Sequence, residues 1–411
     1  MASSDRSIDL EPEGPAGRGA TRDTDREDPA DGGTLGTRLT RRAGSSLGAW
    51  RSDGAARWLF IWPAVLVILC LSIFPLAASL TLAFSRLVFQ RGRVDIDFVG
   101  FTNFEILLFG TERSHLIGIV RTPTPLGWAI LAVGAVLTAW LFFRSVRSGR
   151  VRRLGLLLRL AGGLLFVGLL WLVVGTLAAE GGRPGALIVT FIYVFAGIAI
   201  QYVLGLGLAL LAVQPLWGRR FFRIVFLLPL TITPIGVGYM LRMMTDTSKG
   251  PIEPVWAALG LSQFTWVNDP WLARLVILIG DAWQWTPFVF IVLLAALEGL
   301  DQEVREAALV DGASRFRSFI HITLPAVLPV TTTIILIRLI EGFKIVDMPN
   351  ILTGGGPGTA TQSLSLQAYL DWNKGNFGRS AAIAYLLLIV VTIVATAYVS
   401  LIRRPVARET T

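Results

Sequence analysis

Eight stretches of this chain run apolar for about 18 residues or more, the length at which a helix begins to span a bilayer core of roughly 30 Å. They lie at residues 58–84, 126–143, 154–179, 186–213, 224–244, 271–297, 325–348 and 380–402. The composition agrees with the pattern. Hydrophobic residues make up 53% of the 411 and charged residues only 16%, against about 25% charged in a soluble domain. The expected fold is all-α: a polytopic helical membrane protein with about eight transmembrane helices spread over residues 58–402.

Charge placement sets the expected topology. The net charge is +9, but the basic residues sit beside apolar segments, the pattern of cytoplasmic loops and not of a nucleic-acid footprint. Residues 1–57 carry almost no large apolar side chains and are expected to form a disordered tail. The first apolar run starts only at Trp58, so no signal peptide is read at Met1. Arg38, Arg41, Arg42, Arg51 and Arg57 hold that tail in the cytoplasm. Starting inside and crossing eight times puts the basic loops 144–153, 215–223, 301–321 and 403–408 inside, together with the C-terminal tail, 403–411. The less basic loops 86–125, 245–270 and 353–379 fall outside. Within the spans, Pro229 and Pro234 are expected to kink the fifth, and Gly205 and Gly207 suit close helix contact in the fourth. Trp256, Trp266 and Trp271 are expected at interface depth.

The chemistry that the chain lacks is equally informative. There is no GxxxxGK[ST] phosphate loop, no HExxH, no CxxC and no GxSxG. The single cysteine, Cys70, lies in an apolar run and supports neither a disulfide framework nor a metal set. His115 and His321 are both in loops. No catalytic or metal-binding residue is assigned, and the chain reads as a conduit whose energy comes from elsewhere.

One polar island stands between two apolar walls: EAALVDGASRFRSFIHITLP at 306–325, within the loop 298–325. Glu306, Ala307, Ala308 and Asp311 fall within two helical turns. Gly312 then permits a sharp change of direction, because it takes a positive φ without steric cost. Leu324 and Pro325 open the next apolar segment. Two spans also carry polar groups at membrane depth, where ionisable residues are costly and face a cavity or each other. In the sixth, Asp281, Gln284, Trp285 and Phe288 recur at helical spacing and combine hydrogen-bonding groups with aromatic rings, the mix a sugar needs. Trp283 and Trp285 fit a lipid-belt or core role equally well, taken singly. In the seventh, Arg338, Glu341, Lys344 and Asp347 alternate in sign every three residues and would share one helix face. That pattern fits a self-neutralising ladder and a hydroxyl-recognising lining alike. The turn 354–357, GGGP, reads as a tight outer loop or a docking point for a partner.

The island carries a resemblance. Glu306-Ala307-Ala308, Asp311-Gly312-Ala313 and Ile322-Thr323-Leu324-Pro325 resemble the cytoplasmic signature of binding-protein-dependent ABC import permeases. FRIVFLLPLTITP (222–234), DAWQWTPF (281–288), ILTGGGP (351–357) and FGRSAAIAY (377–385) are similar to the carbohydrate-importing branch, the maltose and glycerol-3-phosphate type. The resemblance covers about 58–109 and 186–402; the hairpin 126–179 and the long N-terminal tail depart from it. It implies the type I importer permease fold. It also implies import of a mono-, di- or oligosaccharide, or in an alternative reading glycerol-3-phosphate or a polyol, across the bacterial plasma membrane. The implied partners are a second related permease, two ATPase subunits and an extracytoplasmic sugar-binding protein. ATP and magnesium would be bound by the partner ATPase, and no cofactor by this chain. The island becomes a coupling helix seated on an ATPase, with Glu306 as anchor and Gly312 as bend. By the same resemblance Asp281, Gln284, Trp285, Phe288, Arg338, Glu341 and Ile345 align with positions that line the sugar site. A secondary transporter needing no ATPase is the contrasting reading, and the lack of an evident inverted repeat weighs against it.

Overall fold

The computed structural model describes residues 61–90, 93–147, 153–214, 217–261 and 264–406. The expected tail at 1–57, the middle of the arginine loop at 148–152 and the last residues, 407–411, lie outside the described residues. The chain divides into two compact units, Met1–Ile73 and Phe74–Thr411. Of the first, residues 61–73 are described and are helical, with a π-helical turn at Leu69–Ile73.

The second unit opens with α1 (Phe74–Ala83), then a ribbon of β1 (Ser85–Gln90) and β2 (Arg93–Phe98) in which Ser85 faces Phe98. Two short helices follow, α2 (Thr102–Leu108) and α3 (Arg113–Leu116). The stretch expected as a polar loop, 86–125, is therefore largely structured. β3 (Gly118–Ile119) pairs with β4 (Arg183–Pro184) and closes the base of a helical hairpin. Its arms are α4 (Pro125–Arg147) and α5 (Arg153–Leu177). They lie in the stretch read from sequence as a hairpin, 126–179. The arms lie so close that a Cβ on Gly134 would stand 2.2 Å from Leu170 Cδ2.

The packed body is built from α6 (Ala186–Val213), α7 (Arg219–Thr231), α8 (Pro234–Thr245), α9 (Glu253–Ala258), α10 (Pro270–Glu298), α11 (Gln302–Val310), α12 (Arg315–Gly342), α13 (Asp347–Thr353), α14 (Leu364–Asn373) and α15 (Phe377–Val406). α6 and α10 form its centre and pack along their length. One apolar core joins Val189 and Tyr193 of α6 to Val237, Ile277, Met348 and Leu352. A second, toward the other end, joins Ala209 to Val289, Phe290, Leu293, Val327 and Ile334. Gly205 makes this approach possible, since a Cβ there would lie 2.7 Å from Val289 Cγ1. Gly207 meets nothing within 4 Å, so only one of the two glycines marked for helix contact serves it.

Among the described residues, six helices are long and apolar enough to cross a membrane: Ile61–Ala83, Pro125–Arg144, Ala186–Val213, Pro270–Glu298, Arg315–Gly342 and Phe377–Ser400. α7 and α8 together make a seventh candidate, and α5 is a further apolar helix of 25 residues. All eight sequence segments thus recur as helices, with corrections. The fifth is not kinked but broken: α7 and α8 meet at 99°. Pro234 starts α8, and Thr233 caps it by accepting a hydrogen bond from Gly236 N, so Ile232 and Thr233 leave the helix altogether. Arg219–Arg223 belong to α7 and not to a loop. The seventh begins at Arg315, ahead of Pro325, and ends at Gly342. A π-helical turn at Phe319–Thr323 lies where the Pro325 ring would crowd the carbonyl four residues back. The stretch 353–379 contains α14, and α15 runs on to Val406, into the expected C-terminal tail. Trp266 is buried in the first core, its Nε1 donating to Thr245 O at 3.0 Å.

Candidate functional site

The interior of the body holds a charged cluster drawn from three helices. Asp281 projects from α10, Arg338 from α12 and Gln201 from α6. Arg338 Nε donates to Gln201 Oε1 at 2.8 Å, and Arg338 Nη2 to Asp281 Oδ2 at 3.2 Å. Gln201 Nε2 donates to the same Oδ2 at 2.7 Å. Trp285, one turn along α10 from Asp281, covers the guanidinium, whose carbon lies 4.3 Å from the ring centroid. Arg338 is 2% exposed and Gln201 is fully buried. Space for the carboxylate exists because residue 197 is glycine: a Cβ there would stand 3.3 Å from Asp281 Oδ2. Opposite charges and an amide thus neutralise and hydrogen-bond one another where an isolated charge would be prohibitive.

The sequence-predicted path residues divide accordingly. Asp281, Trp285 and Arg338 come together. Gln284 is buried beside them, but its amide donates to Ile232 O at 3.2 Å, at the break between α7 and α8. Phe288 is half-buried against the second core, and Ile345 against the first. Glu341, one turn along α12 from Arg338, pairs with Lys344 at 2.7 Å on a half-exposed surface. Lys344 lies in a turn and Asp347 starts α13, so the four alternating charges do not share one helix face. Burial pushes the Asp347 carboxyl above the ordinary carboxylate range. Sequence reasoning missed Gln201. Its signal was present, as the lone amide in an otherwise apolar helix of 28 residues.

The polar island forms a second candidate surface. α11 carries Glu306, Ala307 and Ala308; Glu306 and Ala307 are exposed, and Ala308 is buried. Asp311 N donates to Ala307 O and Ala313 N to Ala308 O, ending the helix around Gly312 at φ +74°. Ser314 caps the next turn by accepting from Arg317 N at 3.3 Å. Leu324 and Pro325 open the regular α-helical run of α12, just after the π-helical turn at Phe319–Thr323. Val304, Val310 and Phe316 are all exposed around the bend, Val310 at 87%. α11 is thus a short helix with an exposed apolar rim and a carboxylate, joined to the long helices α10 and α12.

Comparison with known proteins places this architecture. The family model for the binding-protein-dependent transport system inner membrane component matches residues 171–407. The trehalose/maltose transport system permease protein MalF of Thermococcus litoralis is 37% identical over 203 residues, 49% of this chain and 69% of that protein. The trehalose transport system permease protein SugA of Mycobacterium tuberculosis is 30% identical over 229 residues, 53% of this chain and 69% of that one. A crystal structure of a bacterial ABC transporter involved in the import of the acidic polysaccharide alginate shares the fold, with a TM-score of 0.53 at 17% identity, covering 87% of this chain and 99% of the other. A polytopic helical body whose last 237 or so residues match the family model from α5 through α15 leaves one assignment: the chain belongs to the family of inner membrane permease components of binding-protein-dependent transport systems.

Proposed function

We propose that this chain is the permease subunit of an ABC importer that carries a mono-, di- or oligosaccharide across the bacterial plasma membrane. The observation that carries the reading is α11: an exposed helix ending in a glycine bend at φ +74°, set between two span-length helices of a chain without a phosphate-binding loop. Glu306, Ala307, Ala308, Asp311 and Gly312 form the seat for an ATPase subunit, and Leu324 and Pro325 lie where the helix behind it enters the membrane. ATP and magnesium are held by two such ATPase subunits, and this chain performs no catalysis. A second, related permease completes the path, and a sugar-binding protein delivers the solute from outside. Both chain termini lie in the cytoplasm. Relatives named for trehalose and maltose support a carbohydrate as cargo. The half-buried ring of Trp285, over the Arg338 guanidinium, and that of Phe288, against the second core, supply the stacking faces. The test is purification of the tagged chain from native membranes, with identification of what co-purifies and uptake of radiolabelled trehalose, maltose and glycerol 3-phosphate into proteoliposomes. Co-purification with an ATPase and ATP-dependent uptake of a sugar is the expected result. Uptake driven by an ion gradient with no ATPase present would overturn the reading.

A further inference from the structure

The break at Ile232–Thr233 separates two helices with different allegiances. α8 is fastened to α13: Gly238 packs against Ile351, and Arg242 Nη1 donates to Ile351 O at 2.9 Å. α7 is fastened to α10 at three levels. At the break, Gln284 holds Ile232 O. Midway, the Phe226 ring meets Phe290 edge-on at 5.7 Å. At the far end, Arg223 Nη2 reaches both Glu298 Oε1, at 2.5 Å, and Ala212 O, at 2.9 Å.

That last contact contributes little to stability as an ion pair, since both side chains are partly exposed, 26% for Arg223 and 46% for Glu298. Glu298 is the final residue of α10, at the negative end of the helix dipole, where a carboxylate is disfavoured without a cation beside it. Arg223 directs one nitrogen at both acceptors while its Nε is buried with no partner among the described residues. Its placement has another consequence. Glu298 is followed by only Gly299, Leu300 and Asp301 before α11 begins at Gln302. The pair therefore joins the root of the island helix to the N-terminal half of α7, and the nine residues from Arg223 to the break make a lever of about 13 Å at 1.5 Å per residue. A displacement of about 3 Å at Arg223 turns α7 by roughly 13° about the break.

We propose that Arg223 and Glu298 are the transmission contact through which displacement of α11 turns α7 about Ile232–Thr233. They are positioning residues for solute movement, and the inference rests on α11 being the ATPase seat. A solute-independent experiment tests it. In the complex purified through a tag on this chain, with Cys70→Ser, spin labels are attached at Phe221→Cys on α7 and Met243→Cys on α8, both exposed positions. Their separation is measured by electron–electron double resonance with and without ATP and vanadate. The unaltered pair should give a nucleotide-dependent change of about 2–5 Å. Glu298→Gln and Arg223→Gln should each reduce that change by more than half while ATP hydrolysis persists, and the double variant should be no worse than either single one. If Glu298→Gln does not assemble, Glu298→Asp, which keeps the charge but shortens the reach, should show the reduced change. A full change in the variants, or no change in the unaltered complex while it hydrolyses ATP, overturns the proposal. A complex with no ATP hydrolysis at all overturns the permease reading itself, and the inference with it.

Discussion

Removing one member of the buried cluster should be far worse than removing both charges. Arg338→Met strands the Asp281 carboxylate, 7% exposed, with only the Gln201 amide as partner. Asp281→Leu strands a guanidinium that is 2% exposed. Leaving one buried charge uncompensated costs about 3–5 kcal/mol, so the two single changes together amount to roughly 6–10 kcal/mol. The double variant has no charge to strand. Its cost is that of Gln201 Oε1 losing its donor, about 1–3 kcal/mol. The expected coupling is therefore about 3 kcal/mol or more, well above the roughly 0.6 kcal/mol typical of hydrogen-bonded pairs between membrane helices. Adding Gln201→Leu to the double variant should recover part of the remainder. The assay is reversible unfolding of the purified chain in mixed micelles by a titration of sodium dodecyl sulfate, followed by tryptophan fluorescence. Additivity of the two single changes within about 0.5 kcal/mol would refute the reasoning, because it would mean that neither charge depends on the other.

Further predictions follow from individual contacts. Gly205→Ala should destabilise by about 1–3 kcal/mol, since its Cβ would overlap Val289. Gly207→Ala, with open space, should be neutral or stabilising by up to about 1 kcal/mol; the same unfolding titration measures both. Gly312→Val should strain the bend by about 1–2 kcal/mol and leave ATP hydrolysis running without uptake, whereas Gly312→Asn, which tolerates positive φ, should transport nearly normally. Trp285→Leu should raise the KM for sugar uptake about twofold to tenfold, and Trp283→Leu, an exposed ring on the same helix, should leave it unchanged.

Much of this molecule is legible in the sequence because its strongest rules are local. A span announces itself by length and composition, so all eight apolar segments recur as helices. The positive φ at Gly312 follows from a glycine placed just after a helical run, with no need of any distant partner. What stayed hidden depends on contacts between helices. Pro229 and Pro234 signal a disturbance, but its size is decided elsewhere. Gln284 of α10 takes up the freed carbonyl of Ile232 and α13 holds α8 away, which turns a kink into a bend of 99°. The periodicity of Arg338, Glu341, Lys344 and Asp347 suggested one ladder, but α12 stops at Gly342, and spacing has no meaning across a turn. Gln201 was missed because its partners lie on two other helices; the structure shows Asp281 and Arg338 converging on it. Trp256 and Trp266 likewise find backbone carbonyl partners at the C-terminal end of α8, Met244 O and Thr245 O, which hydropathy does not reveal.

On the proposed function, this chain moves its solute with energy received through Glu306 and the Gly312 bend. The direct measurement is paired: ATP hydrolysis and sugar uptake by the same reconstituted complex, with and without Glu306→Lys. The account predicts that uptake in the unaltered complex requires ATP, and that Glu306→Lys abolishes uptake while hydrolysis continues. Undiminished uptake in the Glu306→Lys complex, or uptake in the unaltered complex that proceeds without ATP, would contradict it.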